Sequence, residues 1–111
     1  MTNKITLYVP STAGLSDKIG EVEHNSRMLK VAKFFSELFG GATATKDATG
    51  FYVADSGELV EESIIQVSSF CLAENFQKLV DEVFKFAQEL NQDWQQESIL
   101  IDVAGDVSFI K

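Results

Sequence analysis

Residues 72–90, LAENFQKLVDEVFKFAQEL, decide the fold of this chain. On a helix of about 3.6 residues per turn, their apolar side chains fall on one stripe and their charged and amide side chains take the remaining surface. The stripe consists of Leu72, Phe76, Leu79, Val80, Val83, Ala87 and Leu90. Phe84 and Phe86 flank it on opposite sides and make it wide. Such a width predicts a helix that packs on a sheet rather than on one neighbouring helix.

A second helix is predicted before Gly40 and Gly41, which supply the left-handed residue that ends such an element. Its apolar residues repeat at helical spacing and are Met28, Val31, Ala32, Phe35, Leu38 and Phe39. Asn25 or Ser26 can cap this helix by accepting a hydrogen bond from a free N–H of its first turn. The basic residues outside the stripe, which we expect to be solvated, are Arg27, Lys30 and Lys33.

Strand patterns surround both helices. Residues 4–9, KITLYV, alternate apolar and polar side chains, and Pro10 ends this strand because it has no N–H for the ladder. Residues 11–23 show no sustained apolar period and predict a long loop. The segments ATATK, GFYVA and LVEESIIQVSSF predict an antiparallel meander with turns at residues 47–50 and 55–57. The segments SILIDV and VSFIK predict a C-terminal hairpin.

The predicted order is therefore strand, helix, two or three strands, helix and two strands. With right-handed crossovers this order predicts a ferredoxin-like α+β fold, a two-layer sandwich whose mostly antiparallel sheet carries both helices on one face. At 111 residues the chain is expected to be one α+β domain, residues 1–111, with a core that needs no disulfide. The other face of the sheet then has no element of this chain to cover it.

The uncovered sheet face is the candidate binding surface. From the predicted strand phases it carries Thr6, Tyr8, Tyr52, Ile64, Gln66, Ser68, Leu100, Asp102, Ser108 and Ile110, whereas Val107 and Phe109 are expected in the core. A face that meets only water would carry more Lys and Glu, so this mixture indicates a subunit interface or a shallow ligand-binding surface. The binding residues proposed from it are Tyr8, Tyr52, Ile64, Gln66 and Leu100. A homodimer that packs sheet to sheet is favoured, and a monomer with some exposed apolar residues is the alternative.

Charge is divided unevenly along the chain, whose net charge is −8. Residues 1–46 carry six Lys and Arg against four acids, whereas residues 47–111 carry three Lys against thirteen acids. The acidic half either keeps the domain soluble or meets a basic protein partner. Binding to a nucleic-acid backbone is not expected, because that requires a basic surface. With no leader, no apolar run of membrane-spanning length and one cysteine, the chain is expected to be cytoplasmic and to have no membrane partner.

No catalytic grouping stands out in the sequence. His24 is the only histidine and Cys71 the only cysteine, and their separation along the chain indicates neither a nucleophile with its base nor a metal site. Cys71 is expected to be a small buried residue. Glu61 and Glu62 are consecutive on a predicted strand, so they point to opposite faces and are expected to be solvated. We therefore expect no catalytic residue, no metal and no cofactor.

The segments FFSELFGGATATKDATGFYVADSGEL and QESILIDVAGDVSFI resemble a group of small bacterial, phage and plasmid proteins of unassigned activity. In this group a helix ends in Phe-Gly-Gly-Ala-Thr, an aromatic strand and a glycine turn follow, and Gln-Glu-Ser leads into the final hairpin. The matching residues are Phe39, Gly40, Gly41, Ala42, Thr43, Gly50, Gly57, Gln96, Glu97 and Ser98. The resemblance implies a compact α+β fold. It leaves Gln96 and Glu97 as further candidate functional residues, because backbone geometry accounts for the glycines.

Two functional classes lead the interpretation. The first is a small non-enzymatic binding or regulatory protein, homodimeric through its sheet face, that recognises a small ligand or a protein partner. The alternative is an acidic inhibitor or decoy, of the anti-defence or immunity type, that blocks a basic surface of its partner. An enzyme comes third, because the sequence shows no grouping of acid, base and nucleophile.

Overall fold

The computed structural model describes residues 2–14, 17–72 and 74–111. Within these ranges the chain forms β1 (Thr2–Val9), β2 (Thr12–Ala13), β3 (Asp17–Lys18), α1 (Glu21–Phe39), β4 (Thr43–Val53), β5 (Leu59–Leu72), α2 (Phe76–Asp93), β6 (Ile99–Val103) and β7 (Asp106–Ile110). The main sheet has the order β4-β5-β1-β6-β7, and each strand is antiparallel to its neighbours. β2 and β3 form a separate short hairpin.

The order of the strands identifies the fold class. α1 connects β1 to β4 and α2 connects β5 to β6, and in each case one other strand lies between the two that are joined. Two interlocked split β-α-β units of this kind make the ferredoxin-like arrangement. β7 extends the sheet by a hairpin from β6. The predicted α+β two-layer sandwich, with both helices on one face, is confirmed.

The core lies between the sheet and the two helices. Its almost completely buried strand residues include Ile5, Leu7, Val9, Ile65, Val67, Ile99 and Ile101. The buried helix residues include Val31, Phe35, Val80, Val83, Ala87 and Leu90. Phe34 and Phe86 join the two helices, because their rings stack at a centroid distance of 3.9 Å. Removal of this apolar surface from water is the main force that holds the layers together.

α2 differs from the predicted helix at both ends. Leu72 belongs to β5 and is 66% exposed, whereas α2 begins at Phe76. Ala73, which the prediction included in the helix, lies outside the described residues. The predicted helix began too early because Leu72, an apolar residue of the preceding strand, falls in phase with the apolar stripe of the helix. At the other end α2 continues past Leu90 to Asp93, and Asn91 is buried within it.

α1 begins earlier than predicted. Its first residue is Glu21, so the proposed caps Asn25 and Ser26 lie inside the helix. The predicted loop of residues 11–23 therefore contains the β2–β3 hairpin and the start of α1, and its residues 15–16 lie outside the described part of the chain. No helix in the described ranges is long and apolar enough to cross a membrane. The cytoplasmic location stays a prediction.

The predicted turn at residues 47–50 is a β-bulge within one long strand. β4 runs through it, and its register against β5 shifts between residues 45 and 48, so that Lys46 and Asp47 together oppose one residue of β5. Asp47 has a φ of 66°. This left-handed conformation occurs both in turns and in bulges, which is why the sequence pattern indicated a turn.

The C-terminal hairpin has a different phase from the predicted one. Ile99 pairs with Ile110 and Leu100 with Phe109, and directly opposed residues lie on the same face of a sheet. Phe109 and Val107 therefore lie on the open face, where they are 66% and 54% exposed, whereas Ile110 is buried on the helix side. The prediction assumed that the apolar sets of both strands point inward, and the pairing register does not allow this.

Candidate functional site

A cavity of about 450 Å³ opens on the sheet face that the helices leave uncovered. We call it the open-face cavity, and it is lined by Tyr8, Pro10, Ala48, Thr49, Gly50, Phe51, Tyr52, Glu62, Ile64, Gln66, Gln96, Ser98, Ile99, Leu100 and Phe109. The five binding residues proposed from the sequence all line this cavity: Tyr8, Tyr52, Ile64, Gln66 and Leu100. Gln96 joins them, whereas Glu97 is exposed and does not line the cavity.

The cavity forms because the first residues of β5, before Ile65, extend beyond the end of β1. Val9, the last residue of β1, pairs with Ile65, and β5 residues before Ile65 pair only with β4. The chain leaves the sheet at Pro10, which has no N–H to continue the ladder. Gly50 keeps the opening free, because a Cβ at this position would come 3.2 Å from Cγ1 of Ile64.

Glu62 lies at the border of the cavity, close to the segment that follows β1. Its Oε1 accepts a hydrogen bond from the N–H of Ser11 at 3.2 Å. The hydroxyl of Thr12 lies 3.4 Å from Glu62 Oε1 and 3.4 Å from Gln96 Oε1, so it can donate to either. Gln96 Nε2 donates to the carbonyls of Thr12 and Trp94. The segment after β1 is thereby tied to β5 and to the residues that follow α2.

α1 holds the same segment through two buried side chains. Arg27 Nη1 donates to the carbonyl of Pro10 at 3.0 Å and to that of Thr12 at 2.9 Å. His24 Nε2 lies 3.0 Å from the carbonyl of Val9, and it must carry the proton because a carbonyl only accepts. Both side chains therefore serve to position the backbone between β1 and the cavity.

Arg27 is a buried cation, which corrects the prediction that it is solvated. It is 5% exposed, and its guanidinium lies 4.8 Å from the centre of the Trp94 ring, within the range of a cation–π contact. Burial lowers the pKa of Arg27 from its usual value, while the Glu23 and Glu62 carboxylates act in the opposite direction. The side chain stays charged, because the usual pKa of arginine lies far above neutral.

Glu62 also corrects an expectation. Its neighbour Glu61 is exposed as predicted, but Glu62 is half-buried and hydrogen-bonded. The two side chains have different surroundings, as the alternation along a strand predicts. What it could not show is that the segment after β1 lies against Glu62, because that depends on contacts between residues about 50 positions apart.

A second cavity of about 450 Å³ lies on the helix side of the β4–β5 pair. We call it the helix-side cavity, and it is lined by Ser11, Lys18, Ile19, Glu21, His24, Asn25, Lys46, Asp47, Thr49, Glu61, Glu62, Ser63, Ile64 and Ile65. It shares Thr49, Glu62 and Ile64 with the open-face cavity. The two cavities therefore meet where β1 leaves the sheet.

Cys71 lines neither cavity. It is 2% exposed, and its Sγ contacts the carbonyl of Leu72 at 3.2 Å, so the expectation of a small buried residue is confirmed. Burial raises the pKa of the Cys71 thiol and so disfavours the thiolate that a nucleophile requires. Among the described residues, no group of three or more His, Cys, Asp or Glu side chains is arranged to hold a metal ion.

Comparison with known proteins shows that this chain is similar in structure to two solved structures. No family model matches the chain, and no curated protein matches it. Two solved structures with the same fold are those of a phage SAM lyase, one in complex with S-methyl-5'-thioadenosine and one in the apo state. The complex has a TM-score of 0.67 and 20% identity, and the alignment covers 99% of this chain and 89% of that chain. The apo structure has a TM-score of 0.66 and 20% identity, with 98% and 88% covered.

This finding overturns the functional expectations drawn from the sequence. The solved structures that share the fold over nearly the whole chain are those of an enzyme. The prediction of a non-enzymatic binding protein is therefore wrong, and its alternative, an acidic inhibitor or decoy, is not retained. The resemblance to small phage and plasmid proteins stays a prediction. What the comparison shows of this chain itself is that it has the fold of the phage SAM lyase structures.

Proposed function

We propose that this chain is a lyase that cleaves SAM, S-adenosylmethionine, and releases S-methyl-5'-thioadenosine. The observation that carries the proposal is the composition of the open-face cavity, which combines aromatic rings, two side-chain amides and one carboxylate. Its volume of about 450 Å³ lies in the range of small-molecule sites. A fold shared with a phage SAM lyase that holds S-methyl-5'-thioadenosine supports this choice of ligand.

The aromatic and amide groups suit an adenosine. Tyr8, Tyr52 and Phe109 can pack against the faces of a purine, which stacks favourably on aromatic rings. The amide of Gln66 offers two N–H donors and one carbonyl acceptor, which match the donors and acceptors along the edge of adenine and on the ribose. Both N–H groups of Gln96 are held by the carbonyls of Thr12 and Trp94, so Gln96 contributes to the shape of the site. Such a set recognises the part of SAM that the thioadenosine product retains.

The carboxylate suits the sulfonium. Glu62 is the only Asp, Glu, Lys or Arg among the described residues that line the open-face cavity. Both of its hydrogen bonds to the segment after β1 end on Oε1, which holds the carboxylate in place. A fixed negative charge attracts the positive sulfur of SAM, and aromatic faces nearby add a cation–π attraction. The product is a neutral thioether, so this attraction favours substrate over product.

The reaction breaks the bond between sulfur and the γ-carbon of the methionine half. The bonding electrons go to sulfur, which leaves as the neutral thioether. The α-carboxylate of the same half attacks the γ-carbon from the opposite side and closes a lactone ring. No proton moves and no second reactant enters, so the charges of sulfonium and carboxylate cancel in one step.

Such a step requires no general acid or general base from the protein, because no proton is transferred. The site has to hold the methionine half folded, with its carboxylate behind the γ-carbon, and to keep water out. Positioning of this kind needs no nucleophile or base from the chain, which explains why the sequence shows no catalytic grouping. Because the sulfonium charge fades in the transition state, we assign Glu62 to substrate binding rather than to acceleration of the step.

Incubation of the purified chain with SAM tests the proposal, with S-methyl-5'-thioadenosine measured by liquid chromatography and mass spectrometry. We expect turnover by the wild type and a loss of at least about tenfold in kcat/KM for Tyr52→Ala, which removes an aromatic wall of the cavity.

Phe70→Ala is the matched control. Phe70 is an aromatic residue of β5, is 64% exposed and does not line the cavity, so we expect its variant to retain wild-type turnover. Circular dichroism should show that both variants remain folded. Folded wild-type protein that releases no thioadenosine above the spontaneous rate would exclude the proposed activity.

A further inference from the structure

The helix-side cavity meets the proposed SAM site, and its chemistry differs from that of the open-face cavity. Both are lined by Thr49, Glu62 and Ile64, so they lie side by side at Glu62. Each has a volume of about 450 Å³, and one ligand with two chemically different halves suits such a pair.

The helix-side cavity carries charges of both signs. Its basic residues are Lys18 and Lys46, and its acids include Glu21, Asp47 and Glu61. A lining of this kind is complementary to a zwitterion, because the lysines can bind a carboxylate while the acids bind an ammonium group. No lysine or arginine is found among the described residues that line the open-face cavity, which suits the uncharged thioadenosine half.

The two lysines are available to a ligand. Neither forms an ion pair with another described residue, whereas Lys30 pairs with Asp93 at 3.6 Å. Lys46 reaches this cavity as one of the two residues of the bulge in β4. A bulge changes the direction of the side chains within it and is frequent beside active sites. The bulge therefore accounts for the position of Lys46 at this cavity.

We infer that the helix-side cavity binds the amino-acid half of SAM, with Lys18 and Lys46 contacting its α-carboxylate, while the open-face cavity binds the thioadenosine half. The inference rests on the proposed function and assigns the parts of its substrate. Glu62, which borders both cavities, then faces the sulfonium that joins the two halves. Cleavage at this border leaves the thioether product in one cavity and the lactone product in the other.

Isothermal titration calorimetry with two stable ligands tests the division. S-adenosylhomocysteine contains both halves but has a neutral sulfur and is not cleaved, whereas S-methyl-5'-thioadenosine lacks the amino-acid half. We expect Lys18→Ala and Lys46→Ala each to weaken binding of S-adenosylhomocysteine by about tenfold, the loss of one charge-assisted contact. Binding of S-methyl-5'-thioadenosine should stay within about twofold of wild type.

Lys85→Ala is the matched control, because Lys85 is an exposed lysine of α2 that lines neither cavity, and it should change neither affinity. Lysine variants that leave S-adenosylhomocysteine binding intact, or that weaken both ligands equally, would overturn the division even if wild-type protein cleaves SAM. Folded wild-type protein that binds neither ligand and does not cleave SAM would instead refute the proposed function, and the division with it.

Discussion

At the scale of single residues, the surroundings of a side chain decide its role more than its type does. Glu61 and Glu62 are adjacent in sequence, yet the first is exposed and the second is half-buried and accepts hydrogen bonds from Ser11 and Thr12. A carboxylate held in this way loses little freedom on binding a cation. Glu62 is therefore the residue whose charge, rather than size, should matter.

We expect Glu62→Gln to raise KM for SAM by about tenfold and to raise kcat by a smaller factor. The amide keeps the acceptor for Ser11 but removes the charge that attracts the sulfonium, an interaction that is weaker in the transition state than in the ground state. Inhibition by the neutral S-methyl-5'-thioadenosine should not change. Steady-state kinetics measures all three quantities, with the exposed Glu58→Gln as control. A fall in kcat with constant KM would contradict the assignment.

At the scale of elements, α1 does more than cover the sheet. Arg27 projects from it to the carbonyls of Pro10 and Thr12 and packs over Trp94, so one side chain connects α1, the segment after β1 and the end of α2. These are the elements that frame the cavities. The position of the border between the two cavities thus depends on α1, although α1 lines only the helix-side cavity.

We expect Arg27→Met to lower the free energy of unfolding by about 1–3 kcal/mol, because two carbonyls lose their donor in a partly buried place. For a domain of this size, this corresponds to a fall in Tm of several degrees. Thermal denaturation followed by circular dichroism measures it. Lys30→Met on the same helix, at an exposed position, should change the stability by less than about 0.5 kcal/mol. Equal stability of both variants would show that the Arg27 contacts contribute nothing.

At the scale of the whole molecule, the sheet face opposite the helices remains partly apolar. Its exposed residues outside the cavity include Phe70, Leu72 and Val107, each more than half exposed. Large exposed apolar patches on a sheet often mark contacts between subunits. The homodimer that was expected from the sequence therefore stays a prediction, with these exposed residues outside the cavity as the proposed contact.

Light scattering at micromolar concentration should give about twice the chain mass of 12.3 kDa. Phe70→Lys and Val107→Lys each place a charge among the exposed apolar residues of the proposed contact and should shift the protein to monomer. These positions are 64% and 54% exposed and line neither cavity, so the variants should disturb neither the interior nor the proposed site. A wild type that stays at the monomer mass over this range would contradict the dimer.

The sequence by itself determined the elements and the layers. Apolar periodicity is a local property, so it predicted both helices, their order relative to the strands of the main sheet, and the sheet face that the helices leave uncovered. It did not predict the short β2–β3 hairpin, which lies in the predicted loop. The end of α1 was also predicted, because glycine commonly takes the left-handed conformation that ends a helix, and Gly40 has a φ of 92°. The five proposed binding residues were found on the same grounds, since alternation assigns a residue to a face of the sheet.

Only the tertiary structure decided where the two cavities lie and what borders them. Glu62 and Gln96 contact the segment after β1 because β5 extends beyond the end of β1. Contacts across the whole fold set the lengths and the register of paired strands. Arg27 is buried for the same reason, although its helical position alone indicated solvent. Lys46 reaches the helix-side cavity through a bulge whose sequence pattern also fits a turn. Long-range pairing, which no local pattern records, made these four residues neighbours of the proposed site.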